Sequence, residues 1–355
     1  MKPLARAEEF CRRFGLRVPI LLAPMAGVSP PSLSIAVANA GGLGACGALL
    51  MQPAEIQAWA DEVRANSNGP FQFNLWIPDP PPQRDAEHEA RVCEFLAKWG
   101  PIVKADAGDA RPPDFAAQCE ALIASKPRAV SSIMGIYPPE FVARLKQNNI
   151  AWFANATTVA EARAAEAAGA DVIVAQGAEA GGHRGCFDAS LAERQMVGLF
   201  ALLPAIVDAV KIPVVATGGI ADDRGVAAAL VLGASAAQIG TGFMRSPEAK
   251  LAPAWANALA ATMPEETMVS RVFSGRAGRS IATDYVRAAT AADAPAPAPY
   301  PVQRGLTAAM RAAATQAGDV QRMQAWAGQS AALAQARPAS EIVRLCWEGA
   351  QAILG

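Results

Sequence analysis

The sequence predicts an α/β fold, a (β/α)₈ barrel of the TIM type with an inserted, mainly helical domain near its C-terminus. Eight short apolar runs lie within the first 245 residues and alternate with alanine-rich segments of helical spacing. The runs are apolar throughout, which is typical of parallel strands that are covered on both faces. Eight strand–helix units in about 240 residues favour a closed barrel over an open doubly wound sheet.

The eight runs define the predicted strands in chain order. They are PILLAPM (19–25), LGACGAL (43–49), FQFNLW (71–76), AVSSIM (129–134), AWFANA (151–156), DVIVAQ (171–176), PVVATG (213–218) and AAQIGTG (236–242). Segments such as TVAEARAAEAAGA lie between them and have a glycine near the C-terminal end, as helices often do. We expect one extra helix between the third and fourth runs, within 85–125.

The pattern changes after Met244, where a mostly helical stretch is followed by the extended segment AATAADAPAPAPYP. Three spans are therefore predicted. Residues 1–245 form the barrel, residues 246–324 form a cap over its mouth that carries the substrate site, and residues 325–355 return a helix to the outer ring. The alternative is that the tail is a separate helical appendage with no role in the site.

Composition excludes several classes of protein. The chain has 355 residues, is 52% hydrophobic and has a formal net charge of -1, so no basic excess points to nucleic acid or to an anionic membrane. No apolar run reaches the roughly 20 residues that cross a bilayer, and the charged N-terminus lacks the apolar core of a signal peptide. We expect a cytoplasmic protein. The six cysteines form no C-x-x-C pair, which predicts reduced, structural thiols and no metal site.

Glycines follow the last two predicted strands. Gly218 ends the seventh run and Gly219 follows it, and Gly240 and Gly242 lie at the end of the eighth. In a TIM barrel the active site lies at the C-terminal ends of the strands, and free backbone N–H groups after strands seven and eight commonly bind phosphate. The pairing in consecutive units predicts a phosphate site. The alternative is that both glycine clusters are only tight turns.

Several longer motifs are similar to those of one enzyme family. The opening LLAPMAGVSPPSLSIAVANAGGLGACGAL, the loop AQGAEAGGHRG, the pair VVATGGIADDRGVAAALVLGASAAQIGTGFM, and the late APAPYPVQRGLT and WAGQ resemble the nitronate monooxygenase (2-nitropropane dioxygenase) family. The resemblance runs from about residue 19 to 342. It implies a TIM barrel with an inserted substrate domain, bound FMN, and oxidation of alkyl nitronates by O₂ to carbonyl compounds and nitrite.

The resemblance also implies which residues bind FMN. The phosphate would lie on the backbone of Gly218, Gly219, Gly240 and Thr241. The ring system would lie near Pro24, Met25, Asn74, Gln176, Gly181 and Gly182, and Gln329 of WAGQ would close the phosphate end. The alternative for Asn74 is a strand-end turn residue, and for Gln329 a residue on a helix surface.

Histidine is rare in this chain, with His88 and His183 as its two occurrences. His183 lies in the glycine-rich loop after the sixth run, which would place it beside the flavin as the catalytic residue. There it would donate a hydrogen bond to an anionic substrate or to reduced flavin. The alternative is a structural histidine that positions the loop. His88 lies among charges on a helix and is expected at the surface.

The chain departs from the family at a catalytic position. Many members have VSFHFG in strand four, where the histidine removes a proton from the carbon that bears the nitro group, whereas this chain has Ile133 there. Tyr300 keeps the aromatic residue of APxYP, but Arg304 replaces a second aromatic residue. A guanidinium at the substrate would favour an anion. The alternative for Arg304 is a solvated residue at a helix start.

Three functions remain open at this point. The first is an FMN-dependent nitronate monooxygenase that acts on an anionic substrate, with O₂ as oxidant. The second is an FMN-dependent NAD(P)H reductase of quinones or enoyl compounds on the same scaffold. The third is a barrel without flavin that binds a phosphorylated metabolite. Because a nitronate is already deprotonated, Ile133 puts the action on neutral nitroalkanes in doubt, and the alternative is a change of substrate class within the same flavin scaffold.

Overall fold

The structure, a computed structural model, describes residues 2–355, and these form eleven strands. The strands are β1 (Ile20–Leu22), β2 (Gly44–Gly47), β3 (Phe71–Trp76), β4 (Ala129–Ile133), β5 (Ala151–Ala156), β6 (Val172–Gln176), β7 (Gly182–His183), β8 (Val214–Thr217), β9 (Ala236–Ile239), β10 (Thr267–Ser270) and β11 (Gly278–Ile281).

The same residues form fourteen α-helices. They are α1 (Pro3–Phe14), α2 (Pro31–Asn39), α3 (Pro53–Asn66), α4 (Ala86–Leu96), α5 (Phe115–Ala124), α6 (Pro139–Gln147), α7 (Val159–Ala167), α8 (Leu199–Ala209), α9 (Asp223–Val231), α10 (Pro253–Ala261), α11 (Asp284–Ala289), α12 (Val302–Leu306), α13 (Ala308–Ala317) and α14 (Ala339–Leu354).

Eight parallel strands form a nearly closed barrel with helices around it. Their order is β1-β9-β8-β6-β5-β4-β3-β2. The last junction is made by the Leu22 N–H, which donates to Leu43 O over 2.9 Å, and the Leu43 N–H, which donates to Ile20 O over 3.1 Å. Each predicted apolar run contains one of these strands, so the prediction of eight parallel strands is confirmed.

The sequence favours strand–helix alternation locally. All five residues of β6 are buried, because the strand is covered on both faces. Several of the barrel helices, α5, α7 and α9 among them, begin at side-chain caps. At the start of α7, the Glu161 N–H donates to Thr158 Oγ1 over 3.1 Å, while the Glu161 carboxylate accepts the Thr158 N–H over 3.2 Å. This cap fixes where the loop from β5 to α7 ends.

A second sheet was not predicted. Strands β10, β11 and β7 form a three-stranded antiparallel sheet, in which His183 of β7 is opposite Gly278 of β11. Residues 246–324 are therefore less purely helical than the sequence suggests. The strands are only two to four residues long and β7 consists of one glycine and one histidine, so they are too short for hydrophobic alternation to mark them.

Outside the barrel, a separate hydrophobic cluster joins α4 to α11, α12 and α13. Its buried members include Val92, Leu96, Tyr285, Val302 and Met310. The extra helix expected within 85–125 is confirmed as α4, and it packs with residues of the 246–324 span although it precedes them by more than a hundred residues in sequence. The C-terminal helix α14 packs against α9 and α2 on the outside of the barrel.

The cysteines of the described chain are all free, and five of the six are buried. Across residues 2–355 we find no helix with the combined length and apolar character that would be needed to cross a bilayer.

Candidate active site

A cavity of about 400 Å³ opens at the C-terminal ends of the barrel strands. We call the strand-end and βα-loop residues that line it the barrel wall. The rest of the lining includes residues that follow the barrel, and we call Ser274, Tyr300, Arg304, Arg311 and Trp326 the outer wall. The cavity is also lined by nearly all the residues predicted to bind cofactor or substrate, namely Pro24, Met25, Asn74, Ile133, Gln176, Gly181, Gly182, His183, Gly218, Gly219, Gly240, Thr241, Tyr300 and Arg304.

Four backbone N–H groups face the cavity at the ends of β8 and β9 without an internal acceptor. In the described chain, the N–H groups of Gly218, Gly219, Gly240 and Thr241 donate to no carbonyl and no side chain. Gly218 and Gly219 have φ angles of 111° and 69°, which side chains rarely allow. Free N–H groups gathered beside the start of a helix form an anion site. The geometry therefore fits a phosphate group.

The His183 loop closely approaches the segment that carries Gln329. A side chain on Gly181 would place its Cβ 2.4 Å from the backbone N of Gly328, so glycine is required there. The Gln329 N–H donates to Glu179 O over 2.9 Å, and the Gly328 N–H donates to Thr241 Oγ1 over 3.0 Å. Gln329 does not itself line the cavity, although its neighbours do. The backbone of residues 328 and 329 therefore joins the loop to Thr241.

Gln176 and Asn74 differ in what their side chains leave free. Gln176 uses both ends of its amide within the loop, since Nε2 donates to His183 O over 3.0 Å and Oε1 accepts the Gly185 N–H over 2.8 Å. Asn74 donates from Nδ2 to the hydroxyl and carbonyl oxygens of Ser131 over 3.0 and 3.2 Å. Its Oδ1 remains available as an acceptor at the barrel wall. Gln176 thus holds the His183 backbone.

His183 is fixed by strand pairing and by its ring contacts. Its Nε2 lies 2.8 Å from Ser274 Oγ, and the two atoms share a hydrogen bond. Ring centroids of Trp76 and Trp326 lie 4.7 and 4.8 Å from that of the imidazole. With β7 paired to β11, the side chain is held in one orientation at the edge of the cavity.

The surroundings of His183 keep its ring neutral. Burial lowers its pKa from 6.5 to about 3, and the positive charges of Arg276, Arg304 and Arg311 contribute in the same direction. A neutral imidazole of such low basicity is a poor proton acceptor near neutral pH. It remains suited to donating or accepting one hydrogen bond in a fixed position.

The outer wall carries two guanidinium groups without a carboxylate partner. Within residues 2–355, neither Arg304 nor Arg311 forms an ion pair, whereas nearby Arg276 pairs with Asp79. Arg311 donates instead to Thr307, to Gln324 Oε1 over 3.0 Å and to the Arg304 carbonyl. Burial, followed by the charge of Arg304, lowers the pKa of Arg311 to about 10. An anion between these groups would relieve their repulsion.

No strong base is available at the position of Ile133. Ile133 ends β4 and lines the cavity, and its Cγ1 would lie 2.8 Å from a Cβ placed on Gly185. No Asp, Glu, Lys or Cys of the described chain lines the cavity. Besides its arginines, His183 and Tyr300 are therefore the only described lining residues with a titratable side chain. Burial raises the pKa of Tyr300. Abstraction of a carbon-bound proton is therefore poorly supported by this cavity.

Sequence reasoning missed four residues of the site, Trp76, Ser274, Arg311 and Trp326. All four line the cavity, and three of them come from the region after the barrel. Trp76 ends the third apolar run, so its position after a predicted strand could have identified it. Trp326 is the first residue of the WAGQ motif, which could have identified it. Ser274 and Arg311 had no local signal, and Ser274 reaches the site through the pairing of β11 with β7.

Comparisons with known proteins were made across the whole chain. The profile of the nitronate monooxygenase family matches residues 9–348. A nitronate monooxygenase of Paraburkholderia phytofirmans is 39% identical over 335 residues, covering 93% of this chain and 91% of the relative. A probable nitronate monooxygenase of Staphylococcus aureus is 35% identical over 95% of both chains. The structure of nitroalkane oxidase from Streptomyces ansochromogenes superposes with a TM-score of 0.88 at 34% identity, over 97% of this chain and 100% of that one.

Proposed function

This chain belongs to the nitronate monooxygenase family, and we propose that it uses FMN and O₂ to oxidise an anionic nitronate to a carbonyl compound and nitrite. One observation carries the choice of substrate. The cavity is lined by two guanidinium groups that have no carboxylate partner within the described chain. Among the described residues, no carboxylate, thiol or amine lines it. Such a cavity favours a substrate that arrives already deprotonated.

The residues present fit FMN. The free N–H groups of Gly218, Gly219, Gly240 and Thr241 suit its phosphate, and Asn74 Oδ1 suits a ring N–H. Pro24, Met25, Gly181 and Gly182 line the same cavity without bulky polar groups. When bound, FMN would supply the electron transfer from the substrate and the reaction with O₂.

The protein's own groups would bind and orient the substrate. Arg304 would attract the anion, and the neutral His183 ring, held by Ser274, would hydrogen-bond to a nitronate oxygen. The aromatic rings around His183 would restrict water near the reacting carbon. Ile133 would contribute an apolar contact and no proton transfer.

We further propose a division of labour along the chain. Residues 1–245 would hold the cofactor, and residues 246–324 would act as the cap that presents Tyr300, Arg304 and Arg311 to the substrate. Support comes from the separate hydrophobic cluster of the second region and from its contribution to the cavity lining.

Cofactor identity and turnover test this function together. Heating or acidifying the purified yellow protein should release FMN into the supernatant, because the contacts described are hydrogen bonds and none is covalent. The protein should then consume O₂ and produce nitrite with a nitronate. A colourless protein would contradict the flavin, and flavin that NADPH reduces while nitronates leave it oxidised would favour the reductase alternative.

The substrate's protonation state gives a sharper prediction. Turnover with pre-formed nitronate should exceed turnover with the parent nitroalkane by at least about 100-fold, since a missing general base typically costs 10²–10⁴. Rates must be measured within the time in which the two forms do not interconvert. Comparable rates would show that another group removes the proton.

The variant Ile133→His complements this measurement. A histidine at the end of β4 should raise activity on the neutral nitroalkane up to about 100-fold while leaving nitronate turnover nearly unchanged. Ile133→Asn is the matched control, because it places a polar but non-basic group at the same position. Equal gains in both variants would mean that polarity, and not proton abstraction, is responsible.

A further inference from the structure

The outer wall is aromatic as well as cationic, and Trp76 of the barrel wall adjoins it. Trp76, at the end of β3, lies 5.5 Å from the Tyr300 ring and 4.7 Å from His183, which in turn lies 4.8 Å from Trp326. Trp76, Tyr300 and Trp326 are each partly buried and line the cavity. They therefore form a continuous aromatic surface beside Arg304.

A ligand on this surface would meet both kinds of group at once. Aromatic rings favour other planar rings through offset or edge contacts, which add about 0.5–1.5 kcal/mol to simple burial. Guanidinium groups bind carboxylate-like anions and also stack on ring faces. Arg304 and Arg311 belong to α12 and α13 and line the same cavity as Tyr300 and Trp326.

The barrel wall has a different character. Trp76 apart, its described residues include no Trp, Tyr, Phe or Arg. It presents glycines, amides and aliphatic side chains, and the proposed function places the cofactor there. A substrate lying over the cofactor would then contact the outer wall. A small alkyl nitronate would leave most of the aromatic surface without contact.

We propose that the substrate of this enzyme carries an aromatic or similarly conjugated planar ring next to its anionic group. Trp76, Tyr300 and Trp326 select the ring, and Arg304 with Arg311 selects the charge. This inference rests on the proposed function for the position of the cofactor. It assigns these five residues to substrate selection.

Three small compounds, two acids and one amide, separate the contribution of the ring from that of the charge without requiring turnover. Benzoate, cyclohexanecarboxylate and benzamide are titrated by calorimetry into the protein as purified. Benzoate should bind about 2- to 12-fold more tightly than cyclohexanecarboxylate, from the aromatic contact, and about 10- to 100-fold more tightly than benzamide, from the charge. Equal affinity for benzoate and cyclohexanecarboxylate would overturn the proposed preference for an aromatic ring. Equal affinity for benzoate and benzamide would overturn the proposed preference for an anion.

Two variants assign these preferences to residues. Trp326→Leu should remove most of the preference for benzoate over cyclohexanecarboxylate, and Arg304→Gln should reduce the preference over benzamide at least about tenfold. Trp99→Leu and Arg287→Gln are matched controls, because Trp99 packs outside the cavity and Arg287 is exposed on α11. If Trp326→Leu fails to fold, Trp76→Leu tests the same surface. Preferences that both variants leave unchanged would overturn the assignment.

The outcomes also separate this inference from the proposed function. A protein that selects benzoate but oxidises no nitronate would contradict the proposed function and retain the ligand preference. A protein that oxidises nitronates but shows no preference among the three compounds would contradict this inference alone. In the supported case, the nitronate of phenylnitromethane should have a higher kcat/KM than that of nitroethane.

Discussion

Replacing His183 with alanine is expected to lower kcat/KM for a nitronate about 100- to 1000-fold. A hydrogen bond from a fixed group to a charged transition state typically contributes about 2.7–4 kcal/mol in a preorganised site. The imidazole meets this description, because Ser274 and the two flanking tryptophan rings hold it at the cavity edge. Steady-state kinetics normalised to bound flavin gives the measurement.

A structural role for His183 predicts another pattern. His183→Ala would then lower flavin content and melting temperature while leaving activity per bound flavin unchanged. His88→Ala is the control for loss of a histidine, since His88 does not line the cavity and its Nε2 lies 2.8 Å from Ala296 O. Ser274→Ala should reproduce part of the His183→Ala effect on kcat/KM if Ser274 positions the ring.

The pH profile distinguishes a neutral His183 from a catalytic base. With a pKa of about 3, the ring should produce no inflection in kcat/KM between pH 5 and 8. Because the unfolded chain binds a proton at pKa 6.5 that the native state does not bind, stability should fall as the pH decreases from about 6.5 towards 3. His183→Ala should remove that part of the decrease. An inflection near pH 6.5 that His183→Ala abolishes would contradict the neutral ring.

Placing an aspartate at Gly240 is expected to reduce FMN affinity about 100- to 1000-fold. Gly240 has a φ angle of -108°, outside the left-handed region, and a Cβ there would lie 3.3 Å from Ala23 Cβ and 3.4 Å from Met25 Sδ, so these neighbours must shift slightly. A negative charge about 4 Å from a phosphate costs about 4 kcal/mol at an effective dielectric constant of 20. Solvent screening reduces this value.

Gly240→Asn isolates the charge from the volume of the new side chain. The two variants differ by one charge and hardly in size, so their ratio of FMN dissociation constants reports the electrostatic part. We expect Gly240→Asn to retain most of the bound FMN. Equal retention by both variants would place the phosphate away from the ends of β8 and β9.

The barrel could be predicted from sequence because its signals are local. The apolar run of β6 and the glycines after β8 and β9 can each be recognised within about ten residues, and the barrel follows from their order. Gln176 and Gly181 could be placed at the site in the same way. The role of Gln176 could not be predicted from sequence, because its amide bonds to His183 and Gly185 only after the loop has folded back.

The outer wall could be predicted only in part, because some of its residues reach the cavity through contacts that are distant in sequence. Ser274 reaches His183 through the pairing of β11 with β7, across 91 residues of sequence. Arg311 lies on a helix whose sequence pattern is that of an ordinary surface helix. Only the structure shows that it lies near Arg304 and has no carboxylate partner in the described chain. Arg304 was predicted from a motif, whereas its pairing with Arg311 required the packing of α12 against α13.

Anaerobic mixing of the purified protein with a pre-formed nitronate tests the central claim most directly. Oxidised flavins absorb at roughly 450 nm. This absorbance should bleach on mixing and return when O₂ is admitted, with release of nitrite. The same protein mixed with NADPH should keep its absorbance. Bleaching by NADPH alone, or no flavin absorbance at all, would contradict the account.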